Sequence, residues 1–69
     1  MVIVDIEGKR YTSAGELRVG DKIRLIEPGI SVVDGIEQRE HQRTIVTVRH
    51  WDDLISVRLW SYSRIELAE

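Results

Sequence analysis

The chain has 69 residues, 42% of them hydrophobic and only 6% aromatic, and a formal net charge of -2 drawn from 32% charged residues. That length accommodates one small domain over residues 1–69 with a single core, and it leaves no room for a deep small-molecule cavity. The absence of cysteine excludes a disulfide framework or a thiolate metal site, no apolar run reaches the roughly 20 residues of a membrane span, and the acidic balance gives no global attraction to nucleic acid.

The first ten residues, MVIVDIEGKR, lack the basic start and small-residue cleavage site of a secretory signal, and are expected to form a strand. Val2, Val4 and Ile6 alternate with Ile3, Asp5 and Glu7, which predicts one apolar, half-buried face. Gly8 supplies a hairpin turn, and Lys9 to Thr12 return with Tyr11 packing its ring. Ser13 and Glu16 have capping-box spacing, but the run is too short for more than one helical turn, with Leu17 and Val19 beneath it. Gly20-Asp21 leads into a strand in which Ile23 and Leu25 share a face, ended by Pro28-Gly29.

Ile30 to Val33 is a short apolar strand. Asp34 to Arg43, DGIEQREHQR, shows no strong strand or helix period apart from Ile36 and is expected to be a long, mobile connection, or in part an extension of the flanking strands. The clearest hairpin follows. Thr44 to His50 and Leu54 to Trp60 are β-rich, with Val46 and Val48 facing Ile55, Val57 and Leu59 across a turn at Trp51-Asp52-Asp53. Ile65 and Leu67 form a closing strand. The pattern predicts an all-β fold: a small, antiparallel, partly open SH3-like barrel of five to six short strands with one helical turn.

The segment Ser13 to Ile23, SAGELRVGDKI, resembles the lead-in to a strand of intein-like (Hint) domains, where a leucine and a Gly-Asp pair occupy the positions of Leu17, Gly20 and Asp21. The catalytic cysteine, histidine block and terminal asparagine of those splicing domains have no counterpart, and the chain contains neither cysteine nor asparagine, so splicing is excluded. As a whole the chain is similar to short barrel proteins of unknown role encoded by bacteriophages and actinobacteria. The likeness lies in a first hairpin, an L-x-x-G-D-x-I segment and a closing V-T-V…V-x-L hairpin. It implies a barrel and no functional residues.

Chemistry-bearing residues are few. His41, His50, Asp52 and Asp53 are the only clustered ligand types, and their spacing forces no convergence on a metal; they are expected at a solvated hairpin tip. Asp52 and Asp53 are adjacent, so in an extended chain they point apart. No serine sits in a nucleophile elbow, and no glycine-rich phosphate loop is present. The expectation is a cytoplasmic binding module without catalysis, metal or cofactor. Its binding residues are expected on the outer face of the closing hairpin: Arg49, Arg58 and Trp60, extended by Tyr62 and Arg64.

Apolar residues at outward positions, namely Ile3, Ile26, Ile45, Leu54 and Trp60, point to a protein partner or self-assembly into a homo-oligomer. The alternative is a nucleic-acid-binding barrel, with Trp60 and Tyr62 stacking on bases and arginines on phosphates. A third reading is a structural subunit that docks through residues 34–43.

Overall fold

A computed structural model describes residues 1–68, and in it the strands run antiparallel throughout. They are β1 (Ile3–Val4), β2 (Arg10–Ser13), β3 (Lys22–Ile23), β4 (Ser31–Arg39), β5 (Arg43–His50), β6 (Asp53–Trp60) and β7 (Arg64–Leu67), with one 3₁₀ turn at Ala14–Glu16. The order across the single, unclosed sheet is β1-β2-β7-β3-β4-β5-β6. Strands that follow one another pair at both ends of this order, while β7 comes back from the chain end to lie between β2 and β3. The backbone N–H groups of Ala14 and Gly15 donate to the carbonyls of Ser63 and Ser61, so the turn after β6 is tied back to the 3₁₀ turn.

The core lies on the concave side: Ala14, Leu17, Ile23, Val33, Val46, Val48 and Ile65 are buried, with Leu25, Ile26, Ile36, Ile55, Leu59 and Leu67 packed around them. The expected facing of apolar residues across the closing hairpin is observed, with Val46 opposite Val57 and Val48 opposite Ile55, but the turn is shorter than expected, since Asp53 already pairs with His50. Buried Thr12, Ser31, Thr44 and His50 interrupt the apolar interior. Each carries a hydrogen bond, as burial demands of polar groups.

Three sequence expectations need correction. First, Asp34 to Arg43 is not a loop: β4 continues to Arg39, and only Glu40, His41 and Gln42 connect it to β5. The pairing shifts between Val33 and Gly35, so Asp34 bulges and the inward positions become Ser31, Val33, Ile36 and Gln38. The bulge breaks the period-two signal. The inward Gln38 hides the rest, because it is satisfied by the Gly15 carbonyl at 3.1 Å and the Thr44 hydroxyl at 2.9 Å. No glycine marks the turn, which instead places His41 and Gln42 at φ near 60°.

Second, the expected apolar face of the first strand is not covered: β1 is a two-residue edge, and Val2, Val4 and Ile6 are all exposed, Ile6 fully. β1 lies at the sheet margin, paired among the described residues with β2 alone, away from the buried cluster. Third, Leu17 is buried but Val19 is 67% exposed, because Val19 lies in a turn closed by the Asp21 N–H donating to the Arg18 carbonyl at 3.0 Å.

The first hairpin is organised by Asp5. Its carboxylate accepts from the backbone N–H groups of Glu7 and Lys9, both at 2.9 Å, and from the Tyr11 hydroxyl at 3.3 Å. Desolvation raises the carboxyl pKa, but these donors outweigh it and hold the group below its ordinary 3.8. A depressed carboxylate adds stability that is full above the unfolded value and is lost as pH falls through the folded one. The amide signals of Glu7 and Lys9 are therefore expected to titrate together with a midpoint below 3.8, and Asp5→Asn to abolish that titration. A midpoint above 3.8 would contradict the assignment.

Candidate binding face

Alternation along β4, β5 and β6 gives the sheet a convex face opposite the core. Its cross-strand rows are Val32–Arg49–Leu54, Gly35–Thr47–Ser56, Glu37–Ile45–Arg58 and Arg39–Arg43–Trp60. Four of the chain's 10 basic residues thus lie on one surface of a protein whose net charge is -2, with Glu37 among them and Asp34 exposed at the bulge. Arg39 is paired, its Nε lying 2.9 Å from Glu37. Among the described residues, Arg43, Arg49 and Arg58 have no carboxylate partner. Gln38, Arg39, Glu40, His41, Arg43, Ile45 and Arg58 line an open depression at the β4–β5 turn end.

Trp60 anchors this end. The Arg43 guanidinium lies 3.3 Å over its ring, a close cation–π contact. The Tyr62 ring lies nearly parallel to the indole, with centroids 5.5 Å apart and planes inclined by 17°. Trp60 remains 40% exposed and Tyr62 63% exposed. The result is a preassembled stack of guanidinium, indole and phenol, which loses little side-chain freedom on meeting a partner.

Of the residues expected from sequence, Trp60, Tyr62, Arg58 and Ile45 come together here, Ile45 half-buried opposite Arg58. Arg49 shares the face but not the cluster: it pairs with Leu54 near the other end, about 13 Å of strand beyond Ile45. Arg64 lies elsewhere, with its guanidinium 5.7 Å from the Tyr11 ring. The expected apolar set is scattered as well. Ile26 packs on the core and Ile3 sits on the remote edge strand. Sequence reasoning missed Arg43 and Arg39 because both fell in the segment read as a loop. Extending the Val46–Val57 register outward by three residues places Arg43 opposite Trp60, and that was the available signal.

His50 also departs from expectation. It is buried, not at a solvated tip, because it occupies an inward position of β5 paired with Ser31 of β4. Its Nε2 donates to the Pro28 carbonyl at 2.8 Å, since a carbonyl can only accept, and its Nδ1 lies 2.7 Å from the Ser31 hydroxyl. The Pro28-Gly29 turn closes over this ring. Gly29 has φ +107°, and a Cβ there would lie 3.2 Å from both the His50 and Trp51 rings. A serine beside a histidine has the composition of a hydrolytic dyad. With Ser31 fully buried and both ring nitrogens engaged, the pair is a structural tie.

Among the described residues no three His, Asp or Glu side chains converge on a metal position, and no helix is long and apolar enough to cross a membrane. Set beside known proteins, the chain matches no family, no curated relative and no solved structure, which leaves the Arg43–Trp60–Tyr62 face to be interpreted from its own geometry.

Proposed function

We propose that this chain is a non-enzymatic, cytoplasmic binding module of SH3-like barrel type, and that its convex face captures an acidic protein segment. The observation that carries this reading is the Arg43–Trp60–Tyr62 stack flanked by Arg58, whose guanidinium has no carboxylate partner among the described residues. Buried aromatic and arginine anchors dominate protein interfaces, and electrostatic complementarity adds on-rate and orientation. Nucleic acid is the weaker alternative. Arg43 already covers the face of the indole on which a base would have to stack.

The test compares wild type with Trp60→Ala and Arg58→Glu. Binding is scored against an array of acidic and neutral peptides and, separately, a single-stranded oligonucleotide at two salt concentrations. Acidic peptides are expected to bind wild type, and Trp60→Ala to weaken them by about 2 kcal/mol or more, roughly 30-fold, while the circular dichroism is retained. Oligonucleotide binding that falls steeply with salt, with no peptide selection, would replace this reading with the nucleic-acid one.

A further inference from the structure

β6 ends the sheet on one side. The two-residue loop Trp51-Asp52 makes His50 and Asp53 a hydrogen-bonded pair, and antiparallel alternation sets the rest. Asp53, Ile55, Val57 and Leu59 direct their backbone groups at β5. Leu54, Ser56 and Arg58 direct theirs at the open edge, where no backbone partner meets them among the described residues.

Soluble proteins blunt such edges with proline, lysine, bulges or inward-facing charge. β6 has no proline, lysine or bulge: it is eight residues long with a regular register, its inward row runs Ile55, Val57 and Leu59, and the one inward charge, Asp53, sits only at its turn end. That row is only partly covered, whereas the facing Val46 and Val48 are wholly buried. The core therefore runs out to an unpaired margin.

We infer that this margin pairs with β6 of a second copy, antiparallel, across a two-fold axis at Val57. Residues opposite one another across an antiparallel pair share a face, so only registers that preserve parity are open. Centred on Val57, the pairing sets Val57 against its own mate, Ile55 against Leu59 of the second copy, Leu54 against Trp60, and Ser56 against Arg58. Every apolar residue meets an apolar one.

The neighbouring registers are worse. Centring on Ser56 places Leu59 against Asp53 and Leu54 against Arg58; centring on Arg58 opposes two like charges directly. In the Val57 register the outward groups of Ser56 and Arg58 form two reciprocal hydrogen-bonded pairs. The convex arginine faces of the two copies then become one continuous surface. A head-to-tail junction with β1 offers only a two-residue strand and no closure.

The test uses the absence of cysteine from the chain. A non-hydrogen-bonded antiparallel pair brings Cα atoms to about 4.5 Å, within disulfide span. Val57→Cys is therefore expected to give a covalent dimer on mild oxidation, and Ile55→Cys to do so at least tenfold more slowly. By sedimentation, the wild-type mass should rise from 8.0 kDa toward twice that value with concentration. Ser56→Pro removes an edge N–H that the monomer does not use, so it should hold the mass at the monomer value. Leu54→Lys, at a residue 55% exposed, should do the same if the proline disturbs the hairpin.

A wild type that stays at 8.0 kDa, a dimer that survives both variants, or equal cross-linking of the two cysteines would overturn the pairing. Peptide capture by a monomeric Ser56→Pro protein would leave the convex-face reading standing alone, so the two can fail separately.

Discussion

Ile23→Ala is expected to lower unfolding free energy by about 2–5 kcal/mol, the range for truncating a fully buried large aliphatic side chain. Ile23 is 0% exposed and lies where β3 meets both β4 and β7, opposite Ser31 on one side and Leu67 on the other. β3 contributes only two residues, so its attachment depends on this side chain more than on its few ladder hydrogen bonds. A domain of this size has roughly 3–10 kcal/mol in total, at about 0.05–0.15 kcal/mol per residue. The variant therefore loses about a fifth of its stability or more. At about 4–8 °C per kcal/mol, its Tm should fall by about 10 °C or more. Ile6→Ala is the matched control. Ile6 sits in an equally regular apolar alternation but is fully exposed, so its effect should stay within about 0.5 kcal/mol. Urea unfolding of both variants decides the matter; equal losses would contradict the described core.

His50→Ala should be nearly as damaging, through a different mechanism. It removes a buried ring and leaves two polar groups unpartnered, the Ser31 hydroxyl at 2.7 Å and the Pro28 carbonyl at 2.8 Å. The orphaned Ser31 hydroxyl, fully buried, costs about 1–3 kcal/mol beyond the cavity itself, while the carbonyl of the exposed Pro28 can turn to water. The distinguishing measurement is a double-mutant cycle. Ser31→Ala removes the hydroxyl together with its need, so adding it to His50→Ala should recover part of the loss, with coupling on the order of 1 kcal/mol. Strict additivity would show that the contact at 2.7 Å contributes no interaction energy. The same variant should loosen the Pro28-Gly29 turn, which rests on the ring, and amide exchange at Gly29 and Ile30 would report it.

The amino-acid sequence alone determined the all-β class, the closing hairpin with its facing valines and isoleucine, the single turn after Ser13 and the outward parity of Arg58 and Trp60. These follow from local rules, because side-chain alternation in a strand and the turn chemistry of short loops are written in neighbouring residues. Three things were decided only by the tertiary structure. A bulge at Asp34 shifted the phase of β4, so a paired strand carried no period and was read as a loop. The position of β1 at the sheet margin left Val2, Val4 and Ile6 uncovered, although their pattern is as regular as that of the core strands. The pairing of β4 with β5 drew His50 inward onto Ser31 and brought Arg43 across from Trp60, which assembled the candidate face. Alternation specifies that a strand has two faces. Which face is buried, and whether either is, depends on what the rest of the chain packs against it, and that is a non-local property.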